Sequence, residues 1–321
     1  MTFFAESVFI LTNILLPVLL LVGLGTLIQK FYPLDNKTLS RIQVYGFVPA
    51  FLLVRVYEST LSWGDMGKIA VAVLLSQFAL AVPLYLIMKA RRVPPETLSV
   101  VLLASVVFNA GNFGIPVVER AFGKSGGAVQ ALVVMVANLS LWGIGYAVMA
   151  AVTGKGKGAV WGYFKLPMVY CLAIALVLRG LHWQMPPFLL YTLRTIAEGL
   201  VPLSLLNLGS QLGTRQSNRT IRWRAIAPTA LAKLILLPVA TAGITVLLGL
   251  WPWPGAVLVL AAAAPSAVNT LLLAHEQNGD VELAADCVFA TTLLSVVTVT
   301  ITLVLLRYFG GDSLPMPGPP Q

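Results

Sequence analysis

Two stretches of this chain place glycine, proline and polar side chains inside runs that are otherwise apolar. The first reads Asn109-Ala-Gly111-Asn112-Phe-Gly114-Ile-Pro116; the second reads Ala264-Pro265-Ser266-Ala-Val-Asn269-Thr270. Proline removes a backbone donor and crowds the turn before it, while glycine admits conformations that other residues avoid. Neither stretch therefore continues a helix comfortably. Where a helix breaks, the half that starts after the break offers free N–H groups and the positive end of its dipole. Carboxamide donors beside such an end make a seat for an anion that needs no buried cation. Asn109, Gly111, Asn112, Gly114, Pro116, Pro265, Ser266, Asn269 and Thr270 are the binding candidates on this reasoning. The plainer alternative is a pair of proline kinks packed by small residues.

Other polar residues can be placed in the same way. Lys233 lies within an apolar run, where a central lysine costs about 2.5–3.5 kcal/mol on insertion scales. It could balance the charge of an anion, pair with Asp286 or Glu198, or snorkel to the nearer face. Asn13, Asn207 and Gln211 read as hydrogen bonds between helices. His275 and Glu276 read as a solvated helix end and lack the second histidine of a zinc-protease motif. No nucleophile elbow and no phosphate loop occurs, so neither an enzyme nor an ATP-driven machine is expected, nor a metal or other cofactor.

The elements that must hold these residues are membrane helices. The chain is 321 residues long, 58% hydrophobic and 10% charged, against about a quarter charged in soluble domains. Runs long enough to span a bilayer occur at about 8–29, 39–57, 67–89, 97–118, 128–152, 163–180, 188–213, 226–249, 254–275 and 283–308. The expectation is an all-α protein of ten transmembrane helices. The first run has Glu6 and no basic flank, unlike a cleavable signal. Cys171 and Cys287 lie in apolar runs and read as inert thiols.

The net charge of +9 is carried by alternate loops. These hold Lys30, Lys37 and Arg41; Lys89, Arg91 and Arg92; Lys155, Lys157 and Lys165; and Arg215, Arg219, Arg222 and Arg224. This pattern orients helices and gives no support for nucleic-acid binding. It places those loops in the cytoplasm and both termini outside. The loop after span nine dissents with His275, Glu276, Asp280 and Glu282, but acidic residues weigh little in that rule.

Proline spacing suggests an internal repeat. Pro17, Pro49, Pro83 and Pro116 pair with Pro167, Pro202, Pro238 and Pro265 at offsets of 150, 153, 155 and 149, and Gly46-Phe-Val-Pro49 matches Gly199-Leu-Val-Pro202. Two halves of five spans, 1–152 and 153–321, must then insert in opposite senses, because five is odd. Inverted repeats with broken helices, here spans four and nine, are a signature of secondary transporters.

The motifs also carry a family resemblance. Asn109-Ala-Gly-Asn-Phe-Gly-Ile-Pro116 resembles the span-four motif of the auxin efflux carrier family. Ala264-Pro-Ser-Ala-Val-Asn269, with Ala274-His-Glu-Gln-Asn-Gly-Asp280 and Glu282-Leu-Ala-Ala, is similar to its span-nine signature. Asn138-Leu-Ser-Leu-Trp142 resembles the polar residue and tryptophan of its fifth span. One departure is in the last span, where many members have a proline after threonine and Thr298-Val-Thr300 continues without one.

No long central loop interrupts the chain, which resembles the compact prokaryotic branch linked to malonate, malate and similar anions. The resemblance implies a crossed-helix fold related to bile-acid and sodium/proton carriers. Spans one, two, six and seven would be a scaffold, and spans three to five with eight to ten a moving transport domain. Asn109, Asn138 and the residues after Pro265 would face the substrate. It further implies a multi-pass protein of the cell membrane whose partners are a small organic anion, lipid and a second copy docked through the scaffold. A membrane sensor or a channel for such an anion is the alternative.

Overall fold

The computed structural model describes residues 8–153, 166–214, 222–276 and 279–316. Of the basic loop residues, Lys155, Lys157, Lys165, Arg215 and Arg219 lie outside that range, as do Gln277 and Asn278. Among the described residues the chain is all-helical. In order come α1 (Val8–Phe31), α2 (Asn36–Tyr57), α3 (Trp63–Ala90) and α4 (Pro95–Val106). Next is α5, which opens with a wide turn at Ala110–Gly114 and continues as Ile115–Thr153, bent at Gly123 where φ is 63°. Then follow α6 (Pro167–Gly180), α7 (Pro187–Gly213) and α8 (Trp223–Leu247). The last are α9 (Gly255–Ala262), α10 (Asn269–Glu276) and α11 (Val281–Gly310).

Seven of these, α1, α2, α3, α5, α7, α8 and α11, are long and apolar enough to cross a membrane. The sequence suggests ten spans, and the difference has physical causes. Span four is split into α4 and the start of α5, and span nine into α9 and α10. Span five joins the second half of span four through Gly123, and span six is described only from Leu166. The outward faces carry Leu20, Leu24, Val239, Val246, Val297 and Ile301, all exposed, as helices bathed in lipid require.

The helix starts use ordinary chemistry. Asp35, Ser62, Asn109 and Asp280 cap α2, α3, α5 and α11, each side chain accepting an N–H of the first turn. Pro95, Pro167 and Pro187 take first-turn positions where no N–H is missed.

Interior prolines act differently. Pro17, Pro49, Pro116 and Pro238 each follow a wide turn, at Leu11–Leu15, Gln43–Phe47, Ala110–Gly114 and Ala232–Leu236. The N–H just before each proline reaches back five residues, to Leu11, Gln43, Ala110 or Ala232, and that of Ile115 also reaches Gly111 four residues back. Widening relieves the clash between the ring and the preceding turn. Pro83 and Pro202, by contrast, lie in continuous α-helix.

Packing joins the helices in two groups. α1 lies against α7, and α2 against α6 and α7. In the other group α3 packs on α4, α5 and α8, α9 on α5 and α8, and α11 on α4, α8 and α10. The groups meet where α2 and α7 touch α5.

Candidate functional site

The two breaks meet. Phe108 and Ser266 face each other as an isolated antiparallel bridge. Asn109 N–H donates to the Pro265 carbonyl at 2.8 Å, and Ala267 N–H to the Val107 carbonyl at 3.1 Å. Backbone freed by each break is thus satisfied by the other, at a depth where water is scarce.

The helix ends around this crossing are capped by side chains. The Ser266 hydroxyl donates to the Ala104 carbonyl at the end of α4 at 2.6 Å, and Ser266 N–H donates to Thr291 Oγ1 at 3.1 Å. Lys233 donates to the Ala262 carbonyl at the end of α9 at 2.6 Å, and its Nζ lies 5.2 Å from the centre of the Phe108 ring. Lys233 is 0% exposed, so it does not snorkel. Its described contacts are this carbonyl and this ring, not Asp286 or Glu198. A cation at a helix C-terminus complements the dipole there. Asp286 is buried on α11.

The starts of α5 and α10 are held open toward a cavity of about 870 Å³. Asn109, Gly111, Asn112, Asn138 and Asn269 line it. Gly114, Pro116, Pro265, Ser266 and Thr270 stand behind it, buried in the crossing. A Cβ on Gly114 would lie 2.6 Å from Gln130 Nε2, which donates to the Ala110 carbonyl at 2.8 Å. At the mouth, on the end of the bundle where α2 starts, Lys37 and Arg41 line the wall beside His275, and these two cations favour negative ligands.

Donor and acceptor bookkeeping defines what the wall offers. Asn109 Oδ1 accepts Asn112 N–H at 3.2 Å, and Asn109 Nδ2 has no acceptor although the residue is only 6% exposed. Asn112 Oδ1 accepts from Gln43 Nε2 at 2.5 Å, and no described residue accepts from Asn112 Nδ2. Both oxygens are occupied and both amide N–H₂ groups are spare. Asn138 differs, since its Nδ2 donates to Val134 in its own helix at 2.8 Å.

Gln43 belongs to a chain that sequence reasoning met only in part. Gln211 Nε2 donates to Asn207 Oδ1 at 3.1 Å, and Asn207 Nδ2 to Gln43 Oε1 at 2.9 Å. Asn207 and Gln211 were expected to bond between helices. Both do so, Asn207 to Gln43 and Ser40 of α2 and Gln211 to Ser40 at 3.4 Å, whereas Asn13 donates to Phe9 in its own helix. Gln43, the single carboxamide in span two, was the available signal and went unread. Arg55 and Glu119 escaped as well: they form an ion pair at 2.6 Å between α2 and α5, far from the cavity mouth.

An all-helical membrane bundle with two broken helices crossing beside a polar cavity is the build of a transporter. The comparisons with known proteins agree. A family model described as membrane transport protein matches residues 9–303, so the chain belongs to this family of carriers, the auxin efflux carrier family, and is a transporter, not an enzyme. It is similar to an uncharacterised transporter of Methanothermobacter thermautotrophicus, with 26% identity over 92% of this chain and 98% of the relative. An uncharacterised transporter of Methanocaldococcus jannaschii is also 26% identical, over 90% and 96%.

Proposed function

We propose that this transporter is a secondary carrier of small organic anions, such as malonate, malate or an auxin-like carboxylate, working by alternating access. One observation carries the reading: Asn109 and Asn112 hold spare amide donors at a cavity that also receives the N-termini of α5 and α10. A carboxylate is acceptor-only and matches a wall of donors. Gly111, Asn138 and Asn269 complete that wall, while Gly114, Pro116, Pro265, Ser266 and Thr270 keep the crossing in shape. Lys233 offsets part of the anion's charge from beneath Phe108, and Asp286 is a further candidate for coupling.

The proposed architecture has ten crossings in two inverted halves, 1–152 and 153–321. α1, α2, α6 and α7 form the scaffold, and the remaining helices carry the substrate in an elevator-type motion. Broken helices that face each other favour this over an open pore. The basic loops support a cavity mouth on the cytoplasmic side, with both termini outside the cell membrane; a second copy would dock through the scaffold.

The test is uptake of radiolabelled malonate, malate, lactate and indole acetate into proteoliposomes, with pH and sodium gradients imposed separately. Saturable flux of one acid that follows a single gradient is the expected result. Thermal stabilisation by an acid without flux would make the protein a sensor, and flux that does not saturate a channel.

A further inference from the structure

The amide chain that ends at Asn112 has a direction. Gln211 donates to Asn207, Asn207 to Gln43, and Gln43 to Asn112. Each carboxamide accepts with its oxygen and passes a donor on, so the last member has its oxygen occupied and its N–H₂ left over. Gln43 and Asn207 line the same cavity but are only 3% and 1% exposed, so water has little access to the bond between them. Ser204 and Ser40 take the second N–H of Gln43 and of Asn207, at 3.0 and 3.2 Å. Gln211 starts the chain with a buried Oε1 that no described residue serves.

Gln43, Asn207 and Gln211 sit on α2 and α7, and Asn112 sits in the wide first turn of α5. The chain therefore crosses between the two packed groups of helices.

We infer that Gln43 is a positioning residue: the chain from α2 and α7 fixes the Asn112 carboxamide with its N–H₂ toward the ligand, and so sets the preference for carboxylates. Asn109 needs no such help, because a backbone N–H occupies its oxygen. With both donors fixed, a carboxylate is matched, whereas a primary carboxamide brings an N–H₂ that meets only donors. Displacing α5 from α2 breaks the Gln43–Asn112 bond and frees Asn112 to turn. The preference then belongs to the state in which the two groups are docked. This inference rests on the anion-carrier reading and deepens it by naming what enforces the ligand's acceptor-only character.

The test compares each acid with its own amide: malonate with malonamate, lactate with lactamide, and indole acetate with indole acetamide. Dissociation constants are measured by thermal shift and calorimetry on wild type, Gln43→Met and Gln211→Met. Methionine keeps the volume of glutamine without its hydrogen bonds, and Gln211 is only half-buried, so its replacement tolerates the loss if Gln43→Met does not fold. In wild type the acid binds more tightly than its amide. Gln43→Met is expected to lower that ratio about tenfold, the scale of one mismatched hydrogen bond, with most of the change in the amide. Gln211→Met lowers the ratio less, in the same direction. Acid and amide weakened equally, with the ratio unchanged, would reduce the chain to packing and overturn the inference. Wild type binding an amide as well as its acid would also overturn it, while leaving a carrier of small polar molecules. Wild type binding neither would sink the anion reading itself and this inference with it.

Discussion

At the scale of single residues, Asn109 does two jobs that a substitution can separate. Its Oδ1 caps α5 by accepting Asn112 N–H, and its Nδ2 has no acceptor in the protein. Serine is as good a cap but lacks the second donor. Asn109→Ser should therefore keep the thermal midpoint in detergent near wild type and weaken binding of the preferred acid by about 10- to 100-fold, the worth of a hydrogen bond to a charged group. Unchanged affinity would remove Asn109 from the site. Asn109 was legible because an amide beside glycine and proline in an apolar run has few bland explanations. Lys233 was legible as a cation within an apolar run, but neither its burial nor its partner was. That partner is the backbone carbonyl of Ala262, and a carbonyl has no signature in side-chain spacing. Gln43 was missed for a related reason: its meaning comes from Asn112 and Asn207, which stand far away in the chain.

Among the elements, α1 and α7 approach closely along their seam. A Cβ on Gly209 would lie 1.9 Å from the Val22 carbonyl oxygen, and one on Gly25 2.3 Å from that of Leu206. Thr26 Oγ1 donates across the seam to the Gly209 carbonyl at 2.9 Å. Small residues that let backbones touch are how helices associate in lipid. Gly209→Ala must push the helices apart and should cost about 1–3 kcal/mol. Gly23→Ala, on the same α1 with nothing within 4 Å, should leave the midpoint unchanged. Equal effects would mean that the seam is looser than these distances state.

A second element-scale link joins the starts of α8 and α11. Arg222 donates two bonds of 2.8 Å to Asp280, which also caps α11. The Arg222 bonds, ahead of the Leu283 N–H, hold the Asp280 carboxyl below its ordinary value, and Arg222 is raised in turn, chiefly by its bond to Asp280. A carboxyl lowered on folding stabilises the fold above its unfolded value of about 3.9. That support disappears as pH falls through the folded value, so the wild-type midpoint should drop below pH about 4 while Asp280→Asn stays flatter there. Arg222 is half exposed and Asp280 partly so, and the gap should be no more than about 1 kcal/mol. Element-scale reading of the sequence had mixed fortunes. The breaks fell where the Asn-Gly-Pro and Pro-Ser clusters put them. The proline register did not map onto equivalent structure: Pro116 follows the wide turn after its break, whereas Pro265 is in the break itself.

For the whole molecule, the functional question is what holds the two packed groups in the arrangement seen. Near the cavity the Gln43–Asn112 bond spans them; at the far end of α2 the Arg55–Glu119 pair does. The pair escapes sequence reading because Glu119 lies 64 positions from Arg55 and no periodicity links them. In the fold Arg55 is 5% exposed, stands 5.5 Å over the Phe51 ring and leaves so little space that a Cβ on Gly127 would come within 2.4 Å of Glu119. Removing one member of such a pair strands a buried charge and costs about 3–5 kcal/mol, whereas replacing both with apolar groups can be neutral. Arg55→Met with Glu119→Leu should accordingly be more stable than either single variant. The pair bridges the two groups near the end of α2 opposite the mouth, so under the proposed alternating access its loss should favour the arrangement in which the cavity opens on that side. A cysteine at Asn138 on the cavity wall, with Cys171 and Cys287 replaced, reports this through an impermeant maleimide added from the side of the pair. Labelling should be slow with the pair intact and several-fold faster in the double variant. Equal rates in a folded double variant would make the pair a static brace, and the gate would have to be sought elsewhere along the seam where α2 and α7 meet α5.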